Sequence, residues 1–217
     1  MTNAECQMPT AEVRMTSPDT RRKVVWGSRV MIAIAFAVSL AALIALTGCS
    51  DAVRTGQASS YMIIQTMVGG ADNSAVVHSD VITDKGTVFQ DNGTATIQVA
   101  MKDPQGPGPT EVNAITITQY HVQFVRSDGH NVQGVDVPYA FDGGATSTIG
   151  AGGSGNVIFT IVPIQAKLQA PLKALAFHGG SLVISTIAQV TFYGHDQTGR
   201  TVSGTGNIEV EFADWAG

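Results

Sequence analysis

The chain has 217 residues, of which 44% are hydrophobic and 13% charged, with 24 glycines and a formal net charge of −5. That balance excludes a disordered polyelectrolyte, which needs fewer apolar and more charged residues, and the length suffices for one domain with a core or at most two small ones. The charge is unevenly placed: before Cys49, Arg14, Arg21, Arg22, Lys23 and Arg29 exceed Glu5, Glu12 and Asp19 for a net of +2, so the remainder carries −7. No basic run follows Cys49, so nucleic acid is not an expected partner.

Arg21, Arg22, Lys23 and Arg29 precede an apolar run from Val30 to Leu46 that only Ser39 interrupts. A basic region, an apolar region and small residues before a cut site describe an export signal, expected here as an N-terminal signal helix. An uncleaved membrane helix is the competing reading, and the run lies at the short edge for spanning a bilayer. The next residues are Leu46-Thr47-Gly48-Cys49. They resemble the lipobox of bacterial lipoproteins. The resemblance implies that diacylglycerol is attached to the Cys49 thiol and that residues 1–48 are removed. Residues 49–60 then form a lipidated tether, and the membrane is a partner through the lipid. Met15 is an alternative start. The stretch around Arg21-Arg22 also resembles a twin-arginine export motif, although general secretion suits the strongly apolar run better. By the same resemblance, Ser50 implies sorting to the outer membrane if the organism has two membranes. Cys6 falls in the removed segment, so no intrachain disulfide is expected.

Residues 61–217 read as strands separated by turns. Tyr61 to Val68 is a first strand and Ala75 to Ile82 a weaker one. Asp91-Asn92-Gly93 is a strong turn signal before the alternating strand Thr94 to Met101, whose Ala95, Ile97, Val99 and Met101 should face the core. Pro104, Pro107 and Pro109 mark an irregular loop. In the long strand Asn113 to Arg126 the apolar face switches near Gln119, which predicts a bulge or a passage between sheets. Val135 to Tyr139 reads as an edge strand because of Pro138, and 143–155 as a flexible Gly/Ser/Thr-rich connector. Asn156 to Ile164 is a further strand, and Gln165 to Phe177 is the one short helix, bent or shortened by Pro171. Ser181 to Tyr193 and Arg200 to Phe212 flank a hairpin loop ending in Gly199. Trp215 is placed to close an end of the core.

About eight or nine short strands and one helix predict an all-β antiparallel sandwich. The closing hairpin, Val190 to Val202, resembles the last strand pair of bacterial immunoglobulin-like and fibronectin-like domains, and that likeness implies an immunoglobulin-like sandwich. The antibody-type cysteine and tryptophan pattern is absent. The chain after Cys49 also resembles uncharacterised exported bacterial proteins, a likeness that carries no activity.

Chemistry-bearing residues are scattered. His78, His121, His130, His178 and His195 lack paired ligand spacing, so no zinc site is expected. Asp80, Asp84 and Asp91 are a weak calcium candidate, because hard oxygen ligands cluster around turns there, although no D-x-D-x-D-G loop is present and Asx-turn hydrogen bonding is the usual reason for such residues. There is no G-x-S-x-G elbow, and Gly150 to Gly155 lacks the Lys-Ser/Thr of a phosphate loop. Glu209 and Glu211 share one strand face, as solvent-facing alternation requires. Tyr139 and Phe141 are the candidate contacts for a ligand or partner. The sequence therefore points to a non-enzymatic, cofactor-free binding or structural component of the cell envelope or a surface assembly, with another envelope or surface protein as partner. The alternative is an accessory hydrolytic or carbohydrate-active enzyme with a loop-assembled site.

Overall fold

A computed structural model describes residues 56–70, 72–106 and 108–215. The expected signal segment 1–48 with its lipobox Leu46, Thr47 and Gly48, the lipidation residue Cys49, and most of the tether lie outside the described residues. The last part of the tether already belongs to the fold: Ala58 is buried, its amide donates to Thr201 O at 3.1 Å, and Gly56 bridges Val202.

Eight strands occur among the described residues: β1 (Ser60–Gly69), β2 (Val76–Asp80), β3 (Asp91–Met101), β4 (Ile115–Val125), β5 (Phe141–Ile149), β6 (Ser154–Val162), β7 (Ile184–Asp196) and β8 (Thr201–Ala213). They form a three-stranded sheet, β1-β3-β6, and a five-stranded sheet, β2-β8-β7-β4-β5. A four-residue helix, α1 (Ile164–Lys167), and two 3-10 turns, Glu111–Asn113 and Leu172–Leu175, complete the regular structure. Alternation drives the layering. Ala95, Ile97 and Val99 of β3 turn inward with Ile115, Ile117, Val190 and Val210 from the other sheet, and all are buried, whereas Met101 is only half-buried. Tyr120, Phe159 and Phe192 meet edge-on or tilted at the centre, with centroids 5.3–6.4 Å apart. The Tyr120 hydroxyl accepts the Thr160 amide at 3.0 Å, tying the two sheets together.

The switch of face in β4 is a bulge. The register with both β5 and β7 shifts between Ile117 and Gln119, so Ile115 and Ile117 point inward before it and Tyr120, Val122 and Phe124 after it.

Four expectations are corrected. The sandwich is not wholly antiparallel, because β2 runs parallel to β8 from Val76↔Glu209 to Asp80↔Ala213. Asp91-Asn92-Gly93 opens β3 instead of making a turn. Gly93 pairs with Gly69 on one side and Phe159 on the other, and an added Cβ would meet the Ile161 side chain, so this glycine serves close packing. Residues 135–139 form no strand. An edge strand, β5, takes up residues 143–149 of the expected flexible connector together with Phe141 and Asp142, and it pairs along β4 from Phe141↔Val122 to Ile149↔Ile115. The helix expected over 165–177 is the single turn α1 followed by the 3-10 turn Leu172–Leu175, with Pro171 between them.

Strand pairing defines two poles. At the entry pole, Ser60↔Met101, Ile115↔Asp196 and His195↔Thr201 lie together, and the Ser60 hydroxyl donates to Asn113 O at 2.8 Å. At the far pole, Asp91↔Val162, Val122↔Phe141, Ile184↔Phe212 and Asp80↔Ala213 end their sheets. The far pole carries the long connections 81–90, 126–140 and 163–183 together with residues 214–215.

Candidate functional site

The 163–183 connection crosses from one sheet to the other over the far end of the core. Pro163 opens it, and Leu172 and Leu175 plug the gap between the sheets. Lys167 at the end of α1 turns into the protein, where its side chain is 1% exposed. Its Nζ lies 2.9 Å from Asp91 Oδ2 and donates to Asp80 O at 2.7 Å. The Ser79 hydroxyl donates to the same Asp91 oxygen at 2.6 Å. One cation thus joins α1 to β2 and β3. A buried charge is tolerated only with such partners.

Next to this pair lie two further carboxylates. Burial pushes the Asp80 carboxyl above its ordinary range, nearby Asp214 adds to the effect, and amide donation from Trp215 at 3.1 Å works against it. Asp214 is almost fully buried. It forms part of the wall of a cavity of about 380 Å³ whose other lining residues are Ile82, Thr83, Asp84, Gly86, Phe177 and Gly179. Phe177 stands 83% exposed at this cavity, with φ at 65°. Trp215 places its ring edge-on to His78 at 5.2 Å and stays 43% exposed, so it covers a flank of β2 and is not a core plug.

No protein-family model and no curated protein matches this chain. Of the fourteen large apolar side chains left exposed among the described residues, nine sit in the far-pole connections, Phe89, Leu168 and Phe177 among them, and Trp215 follows β8 at the same pole. Val112 is the one in an entry-pole connection.

The three aspartates singled out in the sequence do gather near this pole, but they face different partners. Asp91 is bonded to Lys167 and Ser79, Asp80 accepts the Trp215 amide, and Asp84 is exposed on the 81–90 loop. Among the described residues no three His, Cys, Asp or Glu side chains are arranged to hold a metal ion. Tyr139 is exposed in the 126–140 connection, where its ring lies against Gly134. Phe141, at the start of β5, is half-buried and meets Tyr120 edge-on at 6.3 Å. The candidate contact pair is thus divided between surface and core rim.

The histidines are dispersed. His121 meets Asp142 at 2.8 Å, His78 meets Glu211 at 3.2 Å and His130 meets Asp128 at 3.5 Å. Glu209 receives the Ser185 hydroxyl on the outer face of the five-stranded sheet. Asp196 is buried in the β7–β8 hairpin. Burial acts to raise its carboxyl, but the Thr198 hydroxyl and the Arg200 and Thr198 amides outweigh that and hold it below the ordinary range. Sequence reasoning missed Lys167, Asp214 and Phe177. The one available signal was Lys167 itself, a lone charge in the apolar stretch Ile164 to Leu168.

Proposed function

We propose that this chain is a lipid-anchored, extracytoplasmic β-sandwich acting as a non-enzymatic binding or structural component of the cell envelope, in the outer membrane where the organism has one. The observation that carries the reading is the contrast between the poles. The described chain begins at the entry pole, and the exposed apolar side chains gather at the other. Six residues separate Cys49 from Gly56, so seven Cα–Cα steps reach at most about 25 Å. A lipid on Cys49 therefore holds the entry pole at the membrane surface and presents the far pole outward. Exposed apolar clusters of this kind mark interaction sites. The strand order, with β2 parallel to β8 and β1-β3-β6 facing it, supports kinship with immunoglobulin-like sandwiches. Among the described residues no helix is long and apolar enough to cross a membrane. The proposed attachment is the lipid on Cys49.

The test has two arms. Cells fed an alkynyl fatty acid should label the full chain and lose the label with Cys49→Ala, which should also release the protein from membranes. A photo-crosslinking amino acid at Leu168 or Trp215 should capture an envelope component that the same group at Val112 does not. Labelling that survives Cys49→Ala refutes the anchor, and equal capture from both poles refutes the binding end.

A further inference from the structure

The far-pole cavity combines three properties that select a ligand class. Its wall is mostly apolar, built from Ile82 and the ring of Phe177. Its buried polar group is the Asp214 carboxylate, 3% exposed, whose Oδ2 stands 3.5 Å from the Gly179 amide, at the limit of a hydrogen bond. Negative charge is also in excess: Asp80, Asp91 and Asp214 gather around one buried cation, and Lys167 is bonded to Asp91. Asp84 adds a carboxylate to the lining, while Lys85 and Lys173 make no ion pair among the described residues.

We propose that this cavity binds an organic ammonium group carried on an apolar stem, with Asp214 and Asp84 pairing with the charge, the Phe177 face beside the charged end and Ile82 along the stem. An anion is repelled by both carboxylates. A bare metal ion lacks a third converging ligand among the described residues. An ammonium ion pairs with the two carboxylates that line the cavity, gains a cation–π contact from an aromatic face, and buries its methylenes against Ile82. The volume of about 380 Å³ falls at the small end of ligand sites. This assignment rests on the reading of the far pole as the binding end, and deepens it.

The test uses the purified full chain in detergent and saturation-transfer NMR, with n-pentylammonium as probe and n-hexanol as its uncharged counterpart of similar size. The amine should bind saturably at millimolar concentration and the alcohol should not. Phe177→Ala should weaken the amine about threefold, as expected for an exposed cation–π contact. Asp214→Asn, which keeps the side-chain shape, should weaken it about tenfold. Should Asp214→Asn fail to fold, exposed Asp84→Asn carries the same test of charge. Nα-acetyl-lysine methylamide and tetramethylammonium then separate a peptide source from a quaternary one. Equal binding of amine and alcohol, or binding indifferent to all three substitutions, overturns the assignment. If far-pole crosslinks persist in that case, the ligand class alone is wrong. If they vanish too, the binding end itself is wrong.

Discussion

Lys167 Nζ lies 2.9 Å from Asp91 Oδ2, and together the two residues fasten the crossing segment to both sheets across the far end of the core. Removing one partner strands the other in a poorly solvated site. Lys167→Met should therefore cost about 3–5 kcal/mol, measured by urea denaturation of the full chain. Adding Asp91→Leu should recover part of that loss, because an apolar pair of similar volume needs no charge compensation. A single variant as stable as the parent would show that the segment is held by Leu172 and Leu175 alone.

Two aspartates should respond to acid in opposite directions. Asp196 has a lowered carboxyl pKa, so its stabilisation is present above the unfolded value of about 3.9 and is lost as pH falls through the folded value. Asp80 has a raised one, so its contribution is present below the unfolded value and disappears as pH rises through the folded value. At pH 7 Asp196→Asn should cost about 1–3 kcal/mol, while Asp80→Asn should be neutral or stabilising. Denaturation midpoints from pH 3 to pH 7 check both: the gap between parent and Asp196→Asn should close toward acid, and any advantage of Asp80→Asn should shrink.

Gly194 sits in β7 beside the β4 bulge, where an added Cβ would collide with the carbonyl oxygen of Thr116. Backbone cannot swing aside as a side-chain tip can. Gly194→Ala should lower stability by about 1–3 kcal/mol. Gly144→Ala on edge strand β5 meets open space and should stay within about 0.5 kcal/mol of the parent. Thermal unfolding of the two variants side by side is the measurement, and equal midpoints would argue that the bulge relaxes freely.

Tyr139 and Phe141 should separate by function. Tyr139→Ala removes an exposed ring and should change stability by no more than about 0.5 kcal/mol. Phe141→Ala removes an edge-on contact with Tyr120 and should cost about 1–3 kcal/mol. If Tyr139→Ala also leaves far-pole crosslinking unchanged, the binding surface lies toward Phe177 and not toward the 126–140 connection.

The parts of the fold that were legible in the sequence are those governed by local alternation. The inward set Ala95, Ile97 and Val99 and the change of face at Gln119 follow from the two-residue period and can be read without a partner strand. The parts that were not legible depend on what lies opposite. Asp91-Asn92-Gly93 has turn chemistry, yet flanking strands β1 and β6 draw it into a ladder. Residues 143–149 have weak strand propensity, but β4 supplies the hydrogen bonds. The parallel course of β2 along β8 leaves no local trace. The candidate site was hidden for the same reason: Ile82 and Phe177 come from two separate connections and Asp214 from the segment after β8, and they share only their end of the sandwich.

The antiparallel ladder of β1 on β3 has a mechanical consequence once the entry pole is tethered and the far pole holds a partner. A pull on Gly56 then runs along the strands. It loads the nine residue pairs from Ser60↔Met101 to Gly69↔Gly93 in shear, all at once, instead of peeling them one after another. A chain joined in this way resists extension over the whole length of a strand.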